Sequence, residues 1–174
     1  LWIVIDGYNL IRRSPLLAPL DRRDLGEGRD ALLAALVAYR RLKGHRITVV
    51  FDGRERGGAS VQVAPVAGVQ VVFSSRGERA DDVILRLVEK APGGSVVVTS
   101  DRALALAIER TGAVVLSAEE FEERLDRALR EEDGGAACED DEPTSEATGP
   151  RKMKGAARRP SKQARRRIIA LRRL

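Results

Sequence analysis

Five short runs of β-branched residues, interleaved with four helical patterns, restrict this chain more than any other feature. The runs are LWIVI (1–5), ITVVF (47–51), VQVVF (69–73), SVVVT (95–99) and AVVL (113–116). Their apolar residues are continuous rather than alternating, so both faces of each strand must be covered. Between them, ALLAALVAYRRL (31–42), DDVILRLVEKA (81–91), RALALAIERT (102–111) and EEFEERLDRAL (119–129) carry helical periodicity; Phe121, Leu125 and Leu129 repeat every fourth residue. Strands alternating with helices predict an α/β fold, a mostly parallel sheet inside a three-layer sandwich. Gly44 and Gly112 stand where helices stop before strands, as C-terminal caps do. The glycine-rich RERGGAS after VVFDG reads as a loop leading to an extra strand near VQVAP (61–65).

Charge divides the chain further. The net charge is +5, but residues 131–150 hold eight acids and no Lys or Arg, whereas residues 151–174 hold eleven Lys/Arg and no acid. That leaves 20 basic and 18 acidic residues in 1–130, a nearly neutral body. The expected organisation is a globular unit at 1–130, an acidic flexible linker at 131–150 and a basic tail at 151–174. Within the tail, Ile168, Leu171 and Leu174 share a helical face amid Arg165, Arg166, Arg167, Arg172 and Arg173, to which nucleic acid, ribosomal RNA or an anionic membrane surface could each be attracted. The bland alternative is a solvated, disordered tail. No apolar run approaches the roughly 18 residues of a membrane span, and LWIVI lacks the length and basic flank of a signal peptide. The single cysteine, Cys138, has no partner for a disulfide or metal site. A cytoplasmic protein without a membrane partner is the expectation.

Ligands of an open parallel sheet bind beyond the carboxyl ends of its strands. The first strand ends on Asp6, with Asn9 three residues on; the second delivers Asp52, the fourth Asp101, and the helix after the third opens with Asp81 and Asp82. On that helix the core stripe is Ala80, Ile84, Leu87, Val88 and Ala91; at 100° per residue Asp81 lies beside it and Asp82 nearly opposite. Asp81 is therefore expected to lean toward the sheet and Asp82 toward water. Each acid alone reads as a helix cap or a first-turn acid, and Asn9 alone as a turn residue. Together they are a cluster of like charges that resist joint ionisation. Mg²⁺ or Mn²⁺, which prefers oxygen ligands and keeps waters for a phosphate-bearing substrate, would relieve that repulsion and assist attack on a phosphodiester. His45, the only histidine, precedes the second strand at the opposite end of the sheet, which argues against a histidine base. Arg12, Arg13, Arg22 and Arg23 follow the first strand and are placed to bind phosphates; Tyr8 stacks on a base or packs. Trp2, Tyr39 and Phe121 read as packing residues.

The blocks DGYN (6–9), VVFDG (49–53), ERADD (78–82) and TSD (99–101) resemble, in order and spacing, the NYN domain family of PIN-like nuclease fold, and within it the bacterial YacP-like proteins. The resemblance covers roughly residues 1–130. It implies a metal-dependent endoribonuclease cutting single-stranded RNA, messenger RNA foremost, with five strands in the order 3-2-1-4-5. Residue by residue, Asp6, Asn9, Asp52, Asp81 and Asp101 match the acidic-site positions; Asp6, Asp81 and Asp101 would bind metal, Asp52 would support and Asn9 would orient water or phosphate. Arg79 departs from the threonine usual before the acidic block. A dehalogenase-type phosphatase would need an acid where Tyr8 stands, a dinucleotide-binding domain would need a glycine fingerprint after the first strand, and a receiver domain a lysine that AVVLSAEEF lacks. The rival function is a non-catalytic RNA-binding or ribosome-associated adaptor using the basic tail. Only 3% of the residues are aromatic, which disfavours a stacking platform. Neither composition nor motif bears on the oligomeric state.

Overall fold

The computed structural model describes residues 1–53, 60–91, 94–133 and 162–174. Its strands are β1 (Trp2–Asp6), β2 (Arg46–Phe51), β3 (Gln62–Val66), β4 (Val69–Phe73), β5 (Ser95–Val98) and β6 (Val114–Leu116). They form one sheet in the order β3-β4-β2-β1-β5-β6, parallel throughout except for the β3–β4 pair. The expected five-strand order is present within it, and the extra strand expected near VQVAP is β3, which pairs antiparallel with β4 at the edge and brings the sheet to six strands. β1 has β2 on one side and β5 on the other, so the connections reverse direction beside it, where such sheets make their crevice.

The helices are α1 (Gly7–Arg13), α2 (Ala18–Arg23), α3 (Leu25–Lys43), α4 (Ala80–Glu89), α5 (Arg102–Thr111), α6 (Ala118–Asp133) and α7 (Lys162–Arg173). Alternate strand residues divide the core into two layers, as the pleat demands. Ile3, Ile5, Ile47, Val49 and Val71 face Leu10, Leu36, Tyr39, Phe121 and Leu125 of α1, α3 and α6. Val4, Val50, Val72 and Val97 face Ile84, Val88, Leu104 and Ile108 of α4 and α5. Tyr39 and Phe121 pack edge to face, ring centroids 5.6 Å apart, as core residues. His45 rests against Tyr39 at the amino end of β2, remote from the strand ends that carry the acids.

Gly44 and Gly112 cap α3 and α5 in the left-handed conformation. The β3–β4 turn is stricter. Ala67 and Gly68 both have positive φ, 45° and 87°, the signs of a type I′ hairpin. Alanine is poorly suited to the first of these positions. Ala67→Asn should raise stability by about 0.5–1 kcal/mol, read as a higher urea midpoint at unchanged slope.

The end of the chain is a folded part of the molecule. Ala170 is buried, and it joins Val96, Val114 and Leu116 with Leu171 and Leu174 beside them. Arg166 Nη1 donates to the Gly112 carbonyl at 2.9 Å, Arg167 pairs with Glu120, and the Tyr39 hydroxyl donates to the Leu174 carbonyl at 3.0 Å. Ile168 does not share the docked face: it is 46% exposed, because Ala170 rather than Ile168 centres the stripe. Residues 134–161, most of the expected linker and the start of the basic tail, lie outside the described residues. No described helix is long and apolar enough to cross a membrane.

Candidate active site

At the carboxyl end of β1 the chain passes directly from strand to helix, and Asp6 is the residue at the junction. It caps α1, accepting from the Asn9 amide at 3.3 Å, and its second oxygen accepts from the Thr99 hydroxyl, also at 3.3 Å. Gly7 allows this sharp passage. A Cβ there would run into the ring of Phe51, which fills the space behind the junction. The first two residues of DGYN thus have one steric cause and one polar one.

Thr99 and Ser100 join the elements around Asp6. Thr99, itself buried, also accepts from the Asp101 amide at 3.1 Å, so one hydroxyl bridges two aspartates. The Ser100 amide donates to Asn9 Oδ1 at 2.7 Å, which fixes the Asn9 side chain across the gap between α1 and the end of β5. The Ser100 hydroxyl donates to Glu119 at 2.9 Å and accepts from the Ala118 amide at 3.0 Å, tying in the start of α6. Asp101 caps α5 through Oδ1, which accepts from the amides of Ala103 and Leu104 at 2.8 and 3.0 Å. The capping roles of Asp6 and Asp101 are therefore real, and both residues stand in the same place as the cluster.

A cleft of about 440 Å³ opens over this junction, lined by Asp6, Tyr8, Asn9, Arg12, Arg13, Leu25, Asp52, Arg79, Ala80 and Asp81. Asp81 leans into it, 26% exposed, and pairs with Arg79; Asp82 is exposed and off the wall, as the helical geometry predicts. Asp101 does not line the cleft, yet its charge reaches both Asp6 and Asp81. Burial pushes the Asp6 carboxyl up to about 6, the Asn9 amide draws it down, and the charges of Asp81 and then Asp101 push it up again. Burial likewise raises Asp81, the Arg79 guanidinium opposes this, and Asp101 and Asp82 add to the rise.

The basic residues divide. Arg12 and Arg13 reach the cleft wall; Arg22 and Arg23, in the last turn of α2, are exposed and do not. Tyr8 is held on three sides: Arg29 donates to its hydroxyl at 2.8 Å, Phe51 meets it edge-on at 5.2 Å, and the Arg12 guanidinium lies 5.4 Å from its ring centre. Arg29 and Thr99, both buried, and the more exposed Ser100 and Glu119 were not among the sequence candidates. Thr99 and Ser100 lay in the quoted TSD block. Arg29 lies in the first turns of α3, where an arginine ordinarily faces water.

The donor set is hard oxygen, the chemistry of Mg²⁺ or Mn²⁺. Among the described residues no three carboxylate, imidazole or thiol side chains converge as a ready-made ion cage. Asp6 and Asp81 nevertheless carry raised pKa values because burial and neighbouring acids oppose their ionisation, and a divalent cation reverses both penalties. The residues present fit such an ion.

Comparison with known proteins agrees with this architecture. The model of the YacP-like NYN domain matches residues 3–166. The uncharacterized protein YacP of Bacillus subtilis is 31% identical over 138 residues, covering 74% of this chain and 81% of that protein. The crystal structure of Rae1 (YacP) from Bacillus subtilis superposes with a TM-score of 0.66 at 30% identity, covering 76% of this chain and 77% of that one. A point mutant of the same protein gives 0.65 at 29%, covering 76% and 79%.

Proposed function

The chain belongs to the YacP-like NYN domain family, and on that premise we propose that it is a metal-dependent endoribonuclease. It hydrolyses phosphodiester bonds within single-stranded RNA, messenger RNA foremost, in the cytoplasm. The observation that carries this reading is the placement of Asp6: a buried carboxyl at the end of the central strand, raised to about 6, with Asp81 and Asp101 in electrostatic reach. A structural cap has no need of two further acids beside it.

In this reading Asp6, Asp81 and Asp101 hold Mg²⁺ or Mn²⁺, directly or through water, and Asp52 supports them from the β2 side. Such an ion, when bound, would supply a more acidic water and a positive charge beside the phosphodiester. Asn9 is held by Ser100 so that its remaining amide hydrogens are available to water or a phosphate oxygen. Arg12 and Arg13 contribute positive charge on the same wall and bind the RNA backbone. Tyr8, with its hydroxyl and one edge already engaged, serves as a fixed wall for a nucleotide more than as a mobile stacking ring. Arg22 and Arg23, exposed on α2, extend that basic surface away from the cleft.

The test uses purified protein and an unstructured oligoribonucleotide labelled at both ends. Internal cleavage with Mn²⁺ or Mg²⁺, abolished by EDTA and restored by re-addition of the ion, is the expected result. RNA binding that is salt-sensitive but without turnover under any divalent ion would sink the nuclease reading and favour a non-catalytic, ribosome-associated adaptor.

A further inference from the structure

Three guanidinium groups stand on the wall of the acidic cleft, and they are not held alike. Arg12 lies over the Tyr8 ring, 5.4 Å from its centre, and Arg13 is 3.7 Å from Glu119, a residue off the cleft wall. Arg79 grips Asp81, one of the acids that would hold the metal. We propose that Arg79 is an exchangeable counter-ion: it neutralises Asp81 while the crevice has no cation of its own, and transfers to an RNA phosphate when one is bound. The inference rests on the metal-dependent reading above.

The geometry suits an exchange rather than a fixed ion pair. The Arg79 side chain is 68% exposed and Asp81 only 26%, so the guanidinium returns to water at little cost while the carboxylate stays in the wall. Arg79 is the N-cap residue of α4, with extended backbone at φ −82° and ψ 149°, yet its side chain makes no capping bond. Moving it therefore breaks no capping bond, only the pair with Asp81. A single charge that is itself mostly hydrated competes weakly with a divalent ion that also answers Asp6 and Asp101. Once displaced, the guanidinium remains on the lining of the cleft that Arg12 and Arg13 also reach, and offers a planar donor fork matched to phosphate oxygens. Cation entry and substrate capture are then coupled through one side chain: each frees the partner that the other needs.

Two measurements on the full chain test this. The first is Mn²⁺ titration followed by the electron paramagnetic resonance of the free ion, without RNA, for wild type, Arg79→Gln and Arg79→Lys. Arg79→Gln should bind Mn²⁺ roughly twofold to fivefold more tightly, the factor set by loss of a largely exposed ion pair, with Arg79→Lys nearer to wild type. The second is fluorescence anisotropy with a phosphorothioate oligoribonucleotide. In Ca²⁺ the glutamine variant should bind this RNA roughly twofold to fivefold more weakly than wild type, and in EDTA equally well. Equal or weaker Mn²⁺ binding by Arg79→Gln overturns the exchange while leaving the metal-dependent reading intact. Tighter Mn²⁺ binding with unchanged RNA affinity overturns the phosphate half and leaves Arg79 a simple competitor of the metal. No Mn²⁺ bound by any of the three proteins overturns both readings together.

Discussion

Asp6→Asn should lower RNA cleavage by about 10²–10³-fold or more, while the protein, freed of its metal, becomes harder to unfold at neutral pH. The two effects have one cause. The carboxyl is buried at the strand end among acids, which raises it from 3.8 to about 6. Between those values the folded state holds a proton that the unfolded chain has released, so stability falls as pH rises through the window. Above about pH 6 ionised Asp6 opposes folding by something on the order of 2–3 kcal/mol, and asparagine removes the charge without removing the shape. Urea unfolding in EDTA should show the variant ahead of wild type at pH 7.5, with the gap closing toward pH 4. Saturating Mg²⁺ or Mn²⁺ should close it at pH 7.5 too, because the ion stabilises only the wild type. A variant that unfolds more easily than wild type at pH 7.5 in EDTA would mean that Asp6 is a structural cap first.

Phe51→Ala should cost about 3–5 kcal/mol, the largest single loss of stability expected from a core side chain near the cleft. Phe51 is fully buried at the end of β2. Its ring stacks on Phe73 at 5.7 Å, meets Tyr8 edge-on at 5.2 Å and fills the space that a side chain at Gly7 would need. Removing it opens a cavity behind Asp6 and beside Asp52, so cleavage should fall as well, at temperatures where the variant is still folded. Urea midpoints and assays well below the melting transition separate these effects. A loss under 1 kcal/mol would show that the junction collapses onto the void.

Much of this was legible in the sequence because it follows from periodicity. Continuous valine runs at β2, β4 and β5 mark strands covered on both faces, and the acids fall at the strand ends by counting. The side from which Asp81 faces the cleft and Asp82 faces water also follows from 100° per residue. What escaped was what depends on distant partners. α1 and α2 are short, and Pro15 and Pro19 break their pattern, so 7–23 carried no helical period. The first turns of α3 include Gly26 and Gly28, poor helix formers; Gly28 is there because a Cβ would press on the Asp21 backbone, 3.0 Å away. In the tail, the ring of arginines drew attention to charge, whereas Ala170 settles how α7 docks. Thr99 joining Asp6 to Asp101 could not be read from three letters, since a threonine after a strand usually ends its role there.

Pro65 gives the sheet a definite width. The two-residue turn makes Val66 and Val69 a bonded pair, so by alternation the main-chain amides of residues 63 and 65 point away from β4, toward the open side. Proline has no amide hydrogen to offer there. At the other margin β6 is three residues long. Neither border gives an incoming strand a continuous row of donors and acceptors, although β3 is exposed throughout and carries Val63 on its surface. The fold is thereby denied the simplest route to growing into a fibre, the addition of one edge strand to another.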